Sequence, residues 1–443
     1  MVLLRDNLLR GVRPPRLRGA VGEQVAVWSN DLASALSVKE GTAAEMGRPV
    51  WVILAALMAV TSLSTDIYLP AMPQMQEELR GDVELTVTGF LIGFSIAQIV
   101  WGPISDRYGR KLPLILGLVI FVAGSVGCAL SETITQIVSF RVIQALGACV
   151  GPMLSRAMVR DTLDRAKAAE MLSTLMILMA VAPIVAPLLG GQLLRFSTWH
   201  SAFWLLTGFG VLMLLSVPGL PETLPAERRT SASLGAAFAK YRLLLLNRSF
   251  MAYTLCVTFF YVGAYAFIAG SPLVYITHFG VSPEHYGWLF AINVVGLAAL
   301  SFLNRYLVRR FSLNGLLKVA TTFAMIAGLL LALLVYMEVG GIYGVAAPVF
   351  FFFSMNGIIA ACTTAAALDK VPEMAGAAAA LLGSLQYGSG VVSTVLLALY
   401  GSRDGDPWTM SWIIALFGAL SCSMALYVGS SRQRDGRDSP DGR

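Results

Sequence analysis

Apolar residues in this chain come in runs of about twenty, long enough to cover the hydrocarbon core of a bilayer. That length dictates the fold. Inside lipid no water satisfies backbone N–H and C=O groups, so a spanning segment must be a helix or part of a closed barrel. Barrel strands alternate apolar and polar residues in short segments, and these runs do not alternate. The charged fraction is 13%, about half that of a soluble protein, and 56% of the residues are hydrophobic. The expected fold is therefore an all-α polytopic membrane protein. Twelve spans are expected, near 50–70, 85–105, 112–131, 136–157, 169–194, 200–220, 249–275, 283–303, 313–337, 343–366, 375–400 and 409–429.

Charge placement sets the orientation. With the N-terminus in the cytoplasm, only Arg80, Arg195 and Arg403 fall outside, and Arg141 lies within a span; every other Lys and Arg falls inside. Both termini are then cytoplasmic. The net charge of +6 is explained by that asymmetry and does not point to nucleic acid. The five cysteines all lie within spans and read as small apolar residues. The three histidines show no metal-ligand spacing, so no metal is expected.

The chain divides into a tail (1–48), a first six-helix bundle (49–220), a linker (221–248), a second bundle (249–430) and a short tail (431–443). Two readings of the first tail stand side by side: a cytoplasmic extension, or translation starting at Met46. In the linker, 234–246 fits an amphipathic helix, but a plain connector is the preferred reading. Asp106-Arg107-Tyr108 after the second span and Asn304-Arg305-Tyr306 after the eighth point to a duplicated six-helix unit.

Asp66 stands near the outer end of the first apolar run. A carboxylate there costs roughly 2.5–3.5 kcal/mol on insertion scales, so it needs a job: carrying a proton or neutralising a cation. No other acid lies deep in a span, which predicts a single titrating carboxylate. Arg141 in the fourth span lies about as deep as Asp66 at 1.5 Å per residue, so the two are expected to meet; the competing reading is that Arg141 snorkels to the surface. Burial and a nearby cation pull the protonation of Asp66 in opposite directions.

Gly102-Pro103-Ile104-Ser105-Asp106-Arg107-Tyr108-Gly109-Arg110-Lys111 fills the loop between the second and third spans. Gly102 allows a neighbouring helix to approach, Gly109 permits a tight turn, and the charges can latch one conformation. In the fifth span Ala182, Ala186 and Gly190 recur every four residues as a smooth face, with Pro183 and Pro187 inviting a bend and Gly191 following. Tyr68, Gln144, Tyr261, Tyr265, Asn356 and Gln386 are polar positions inside spans and are the candidates for lining a substrate cavity, with helix–helix packing the preferred reading for Tyr68, Tyr261, Tyr265, Asn356 and Gln386.

The loop string matches at every fixed position the G-x-x-x-D-R-x-G-R-K signature of the major facilitator superfamily, and with the twelve-span layout the resemblance covers nearly the whole chain. Thr65-Asp66-Ile67-Tyr68-Leu69-Pro70-Ala71-Met72-Pro73, Pro221-Glu222-Thr223-Leu224-Pro225 and the segment from Ala375 to Gln386 resemble the Bcr/CflA group of drug:proton antiporters. The fifth span is similar to the antiporter motif G-x-x-x-G-P-x-x-G-G, with Ala182 and Ala186 where Gly is usual. Arg141-Val142-Ile143-Gln144-Ala145-Leu146-Gly147 is similar to the pattern R-x-x-Q-G-x-G, with Ala145 for the middle Gly.

The resemblance implies a multi-pass inner-membrane exporter of small drugs or metabolites, not an enzyme. Two bundles would rock about a cavity, with Asp66 as the proton carrier and Arg141 modulating it. It implies no cofactor beyond the proton gradient, a small-molecule substrate and protons as partners, a bilayer, and a monomer. Two alternatives remain: a proton symporter importing a nutrient, and a non-transporting membrane sensor. The chain has no G-x-x-x-x-G-K-[ST] string for ATP binding and no H-E-x-x-H or G-x-S-x-G.

Overall fold

A computed structural model describes residues 47–435 apart from 231–233 and 403. The expectations for residues 1–46, for Arg403 and for 436–443 fall outside the described residues. The chain falls into two units, Met1–Trp51 and Val52–Arg443, and the packing below is that of the second.

Among the described residues the chain is helical and has no strand. Twelve helices are long and apolar enough to cross a membrane: Pro49–Leu79, Glu84–Tyr108, Lys111–Ala129, Ile134–Thr162, Ala166–Leu193, His200–Gly219, Arg248–His278, Pro283–Leu307, Leu313–Tyr336, Gly341–Asp369, Pro372–Tyr400 and Trp408–Val428. Each overlaps one expected span, and the differences lie at the ends.

Several helices are broken, and the breaks have local causes. The first stops at Asp66, passes through a single 3₁₀ turn, Leu69–Ala71, and restarts as Met72–Leu79. Pro70 and Pro73 occupy the first turn of each restart, where the N–H that proline lacks has no helical partner anyway. The seventh widens into a π turn, Leu273–His278, directly after Pro272. The fourth is interrupted at Cys149 and the tenth at Met355.

These breaks fall at matching places, the first with the seventh and the fourth with the tenth. The packing repeats in the same way. The third span packs on the sixth as the ninth does on the twelfth, and the second on the fourth as the eighth does on the tenth. Two six-helix bundles result. They meet along two seams, the second span against the eleventh and the fifth against the eighth, which exchange with each other when the halves are exchanged.

The first seam is bolted by polar side chains that pair across it. Thr88 Oγ1 donates to Thr394 Oγ1 (2.6 Å), while Ser95 and Ser384 each donate to the other's backbone carbonyl (2.6 and 2.9 Å). Such pairing satisfies hydroxyls that lipid or an apolar core would leave bare. The preferred reading of the linker as a plain connector is corrected: Leu234–Leu246 is a helix. Tyr241 anchors it, buried and donating to the Ile99 carbonyl at 3.2 Å.

Candidate substrate and proton site

Alternation of twelve spans puts the loop after the second span, the C-terminal end of the fourth and the segment after the sixth on one face. A cavity of about 790 Å³ opens there, walled by both halves. The opposite face is shut. A Cβ on Gly190 would collide with the Ile67 carbonyl oxygen, and one on Gly191 with the Pro283 carbonyl, so the backbones approach as only glycine permits. Ala182, Ala186 and Gly190 are all buried on that packed face, as is Pro187. Outside it, Arg195 Nε and Glu284 Oε1 pair across the halves at 3.3 Å.

Asp66 is the last residue of its helix and is 6% exposed. Among the described residues no cation lies within ion-pair distance of it. The Thr65 hydroxyl is beside its carboxyl, and the hydroxyls of Tyr265, Tyr286 and Tyr387 from the other half lie within reach of its field.

Arg141 is fully buried, which excludes snorkelling. Asp66 and Arg141 do come within each other's field, as expected from their depth, but they form no ion pair. Arg141 Nη1 donates to the Ser64 carbonyl (2.8 Å) and to Gln144 Oε1 (2.6 Å), and Nε donates to the Thr86 carbonyl (3.3 Å). Its guanidinium stacks between the rings of Tyr68 and Phe90, 4.5 and 4.4 Å from their centroids. The Ser64 carbonyl belongs to the last turn of the helix that ends at Asp66, where the helix dipole favours a cation. Nη2 has no partner. A buried cation with a free donor thus lies close to a buried carboxylate with no cation.

Tyr68 and Gln144, both candidates for the cavity, do not line it; for Tyr68 this is the preferred packing reading. Tyr68 donates to or accepts from the Thr86 hydroxyl (3.1 Å), and Gln144 donates to Ser125 Oγ (2.8 Å). Both hold Arg141 in place. Nor do Tyr261, Tyr265, Asn356 or Gln386 line the open cavity. They sit deeper, where the halves still touch. Tyr261 lies beside the side-chain amides of Asn356 and Gln386, and its ring is 6.0 Å from that of Tyr265. Tyr265 continues to Tyr387 (6.2 Å), Phe94 (4.3 Å) and Phe90 (5.9 Å). This ladder of rings crosses from the second half to the ring under Arg141.

At the open face the loop residues assemble a network. Arg110 is buried; its Nε donates to Asp161 Oδ2 (2.8 Å), and its Nη1 to Asp106 Oδ1 (2.7 Å) and Ser105 Oγ (2.9 Å). Desolvation works against its charge, but the two carboxylates outweigh it and raise its pKa further. Gly109 adopts φ +91°, and a Cβ there would strike the Glu222 carboxylate. Glu222 accepts the backbone N–H groups of Arg110 (2.9 Å) and Lys111 (3.1 Å). Arg107 is exposed and joins no ion pair among the described residues. Gly102 does not serve a close helix approach here: nothing lies within 4 Å of where its Cβ would be, because it faces the open cavity.

Sequence reasoning missed three residues. Asp161 completes the Arg110 network from 51 residues away. Arg156 lines the cavity. Glu84 is a second buried carboxylate, 6% exposed in the first turn of the second span, so Asp66 is not alone. An acid one residue outside the expected start of that span was the available signal.

Twelve helices in two matched halves, around a cavity open to one face only, define a membrane transporter. The chain is matched over residues 54–394 by the Major Facilitator Superfamily, and it belongs to that family. It is 35% identical to the uncharacterized MFS-type transporter YdgK of Bacillus subtilis, over 87% of this chain and 96% of that one. It is 28% identical to a bicyclomycin resistance protein homolog of Haemophilus influenzae, over 78% of this chain and 87% of that one. Its fold is similar to that of the nucleoside transporter NupG, with a TM-score of 0.70 at 12% identity, covering 86% of this chain and 99% of that one.

Proposed function

We propose that this protein is a proton-coupled antiporter that exports small drugs or metabolites across the cytoplasmic membrane. Both termini would be inside, and one chain would form the path. The observation that carries the proposal is the pair of half-satisfied groups, Asp66 with no ion-pair partner among the described residues and Arg141 Nη2 without an acceptor, buried close together in the first half. The resemblance to a bicyclomycin resistance protein homolog supports the export direction.

In this reading the cavity opens to the cytoplasm and Asp66 carries a proton. Losing the proton leaves a carboxylate beside an arginine donor that is free to take it. Re-pairing Arg141 would loosen its hold on the Ser64 and Thr86 carbonyls, which join the first, second and fourth spans. Substrate and proton then exchange by competing for one conformational state, with no direct contact between them. One charge moving through 100 mV supplies about 2.3 kcal/mol, and one pH unit about 1.4 kcal/mol.

Everted vesicles with an acid interior and a pH-sensitive dye test this. A transported compound releases protons with the wild-type protein and not with Asp66→Asn. Proton-linked transport retained by Asp66→Asn would refute the assignment of that residue. Proton-dependent accumulation of a nutrient by cells, with no compound releasing protons, would replace export by import.

A further inference from the structure

Arg156 is half-buried on the inner part of the fourth span and lines the open cavity. Its Nε donates to the Pro152 carbonyl one turn back, at 2.9 Å. Among the described residues it has no acid within ion-pair distance, unlike Arg110 on the same wall. The remaining charges of that wall are lopsided. Arg110 and Asp106 neutralise each other, which leaves Arg156, Arg160, Arg228 and Lys240 against Glu373 alone. Arg156 is the deepest of these, within electrostatic reach of Tyr387 in the ring ladder. Around it the wall is made of small and apolar groups such as Met153, Leu154 and Ala380.

Resting on the export reading above, we propose that the substrates are organic anions: small molecules with a carboxylate or similar anionic head on an apolar, preferably aromatic, body. The head pairs with Arg156 and the body lies toward Tyr387 and Phe94. Three physical points converge. A half-buried guanidinium with no acid beside it gains from an anionic partner that arrives with the ligand. A cavity walled by one sign of charge concentrates ligands of the other sign and repels its own. A planar guanidinium matches the forked head of a carboxylate in a way a point charge does not.

The test uses the full-length protein in detergent and a matched set of probes, 4-phenylbutyrate, its neutral amide and 4-phenylbutylammonium, with binding read by calorimetry. The anion is expected to bind about ten-fold or more tighter than the amide, and the ammonium most weakly. Arg156→Gln should bring the anion down to the level of the amide, while Arg156→Lys should keep part of the preference; melting curves confirm that both fold. If Arg156→Gln does not fold, the wild-type comparison decides, since the anion preference must then shrink as salt rises. Equal binding of the three probes, or an anion preference that survives Arg156→Gln, overturns the proposal. Either result leaves proton-coupled export standing. Conversely, Arg156-dependent anion binding without proton release from vesicles would sink export and leave the anion site.

Discussion

Arg110 Nε reaches Asp161 Oδ2 at 2.8 Å and so ties the loop after the second span to the C-terminal end of the fourth. Arg110 is buried and its other donors are already engaged, so Asp161 is its second acid and not an interchangeable one. Asp161→Asn keeps the shape but removes the charge. Removing one partner of a buried pair costs about 3–5 kcal/mol; this pair is partly exposed and Asp106 remains, so the expected cost is lower. We expect transport to fall about ten-fold or more with normal expression. Vesicle assays against an expression-matched wild type check this.

Glu222 gives a pH dependence outside the spans. Desolvation pushes its carboxyl up, but the N–H groups of Arg110, Leu224 and Lys111 outweigh that and hold it below the usual Glu range. A depressed value means the docking of 221–225 on the loop is fully present above about pH 4.3, and is lost as pH falls through the lower folded value. Hydrogen exchange at the Arg110 and Lys111 amides should rise, after correction for intrinsic rates, as the pH drops below that range. In Glu222→Gln that pH dependence should disappear.

Arg141→Lys tests whether charge alone suffices. Lysine keeps the cation but lacks the planar fork that bridges Ser64, Gln144 and Thr86 and stacks between two rings. Proton-coupled transport should fall by an order of magnitude or more, and the melting temperature should drop. Wild-type transport in Arg141→Lys would reduce its role to charge.

The Arg195–Glu284 pair links the halves but is partly solvated, so its worth is about 0.2–1 kcal/mol. Glu284→Gln should therefore leave stability almost unchanged and shift the population between inward and outward forms by no more than about five-fold. Cysteine accessibility at the outer seam measures the shift, and exchanging the two charges should restore it.

What was legible in the sequence was whatever depends on a residue's own chemistry. Run length gives the spans, and an acid and an arginine at equal depth mark Asp66 and Arg141. What was hidden depends on partners far along the chain or on groups that carry no letter. Arg141 binds two backbone carbonyls, and every residue has a carbonyl. Asp161 and Glu222 find Arg110 across 51 and 112 residues. Gln144 and Tyr68 looked like cavity residues because they are polar inside spans, yet the same polarity serves to hold a buried arginine. The linker helix shows as a pattern in the sequence, but its anchor, Tyr241 bonded to the Ile99 carbonyl of the second span, is a tertiary contact.

Gly190 abuts the carbonyl of Ile67, the residue next to the proton-carrying acid of the proposed mechanism. Its neighbour Gly191 abuts the carbonyl of Pro283 in the second half. The wall of the acid's chamber and the outer seal are therefore adjacent residues of one helix, and parting the fifth span from the eighth, which opening outward requires, would also wet Asp66. A molecule built this way has little room to slip: a cycle that opens outward without exchanging a proton would have to keep the seal and break it at once. Gly191→Ala, costing about 1–3 kcal/mol of crowding in the sealed state, should therefore show up first as a leak, with proton flux in the absence of any substrate in the vesicle assay.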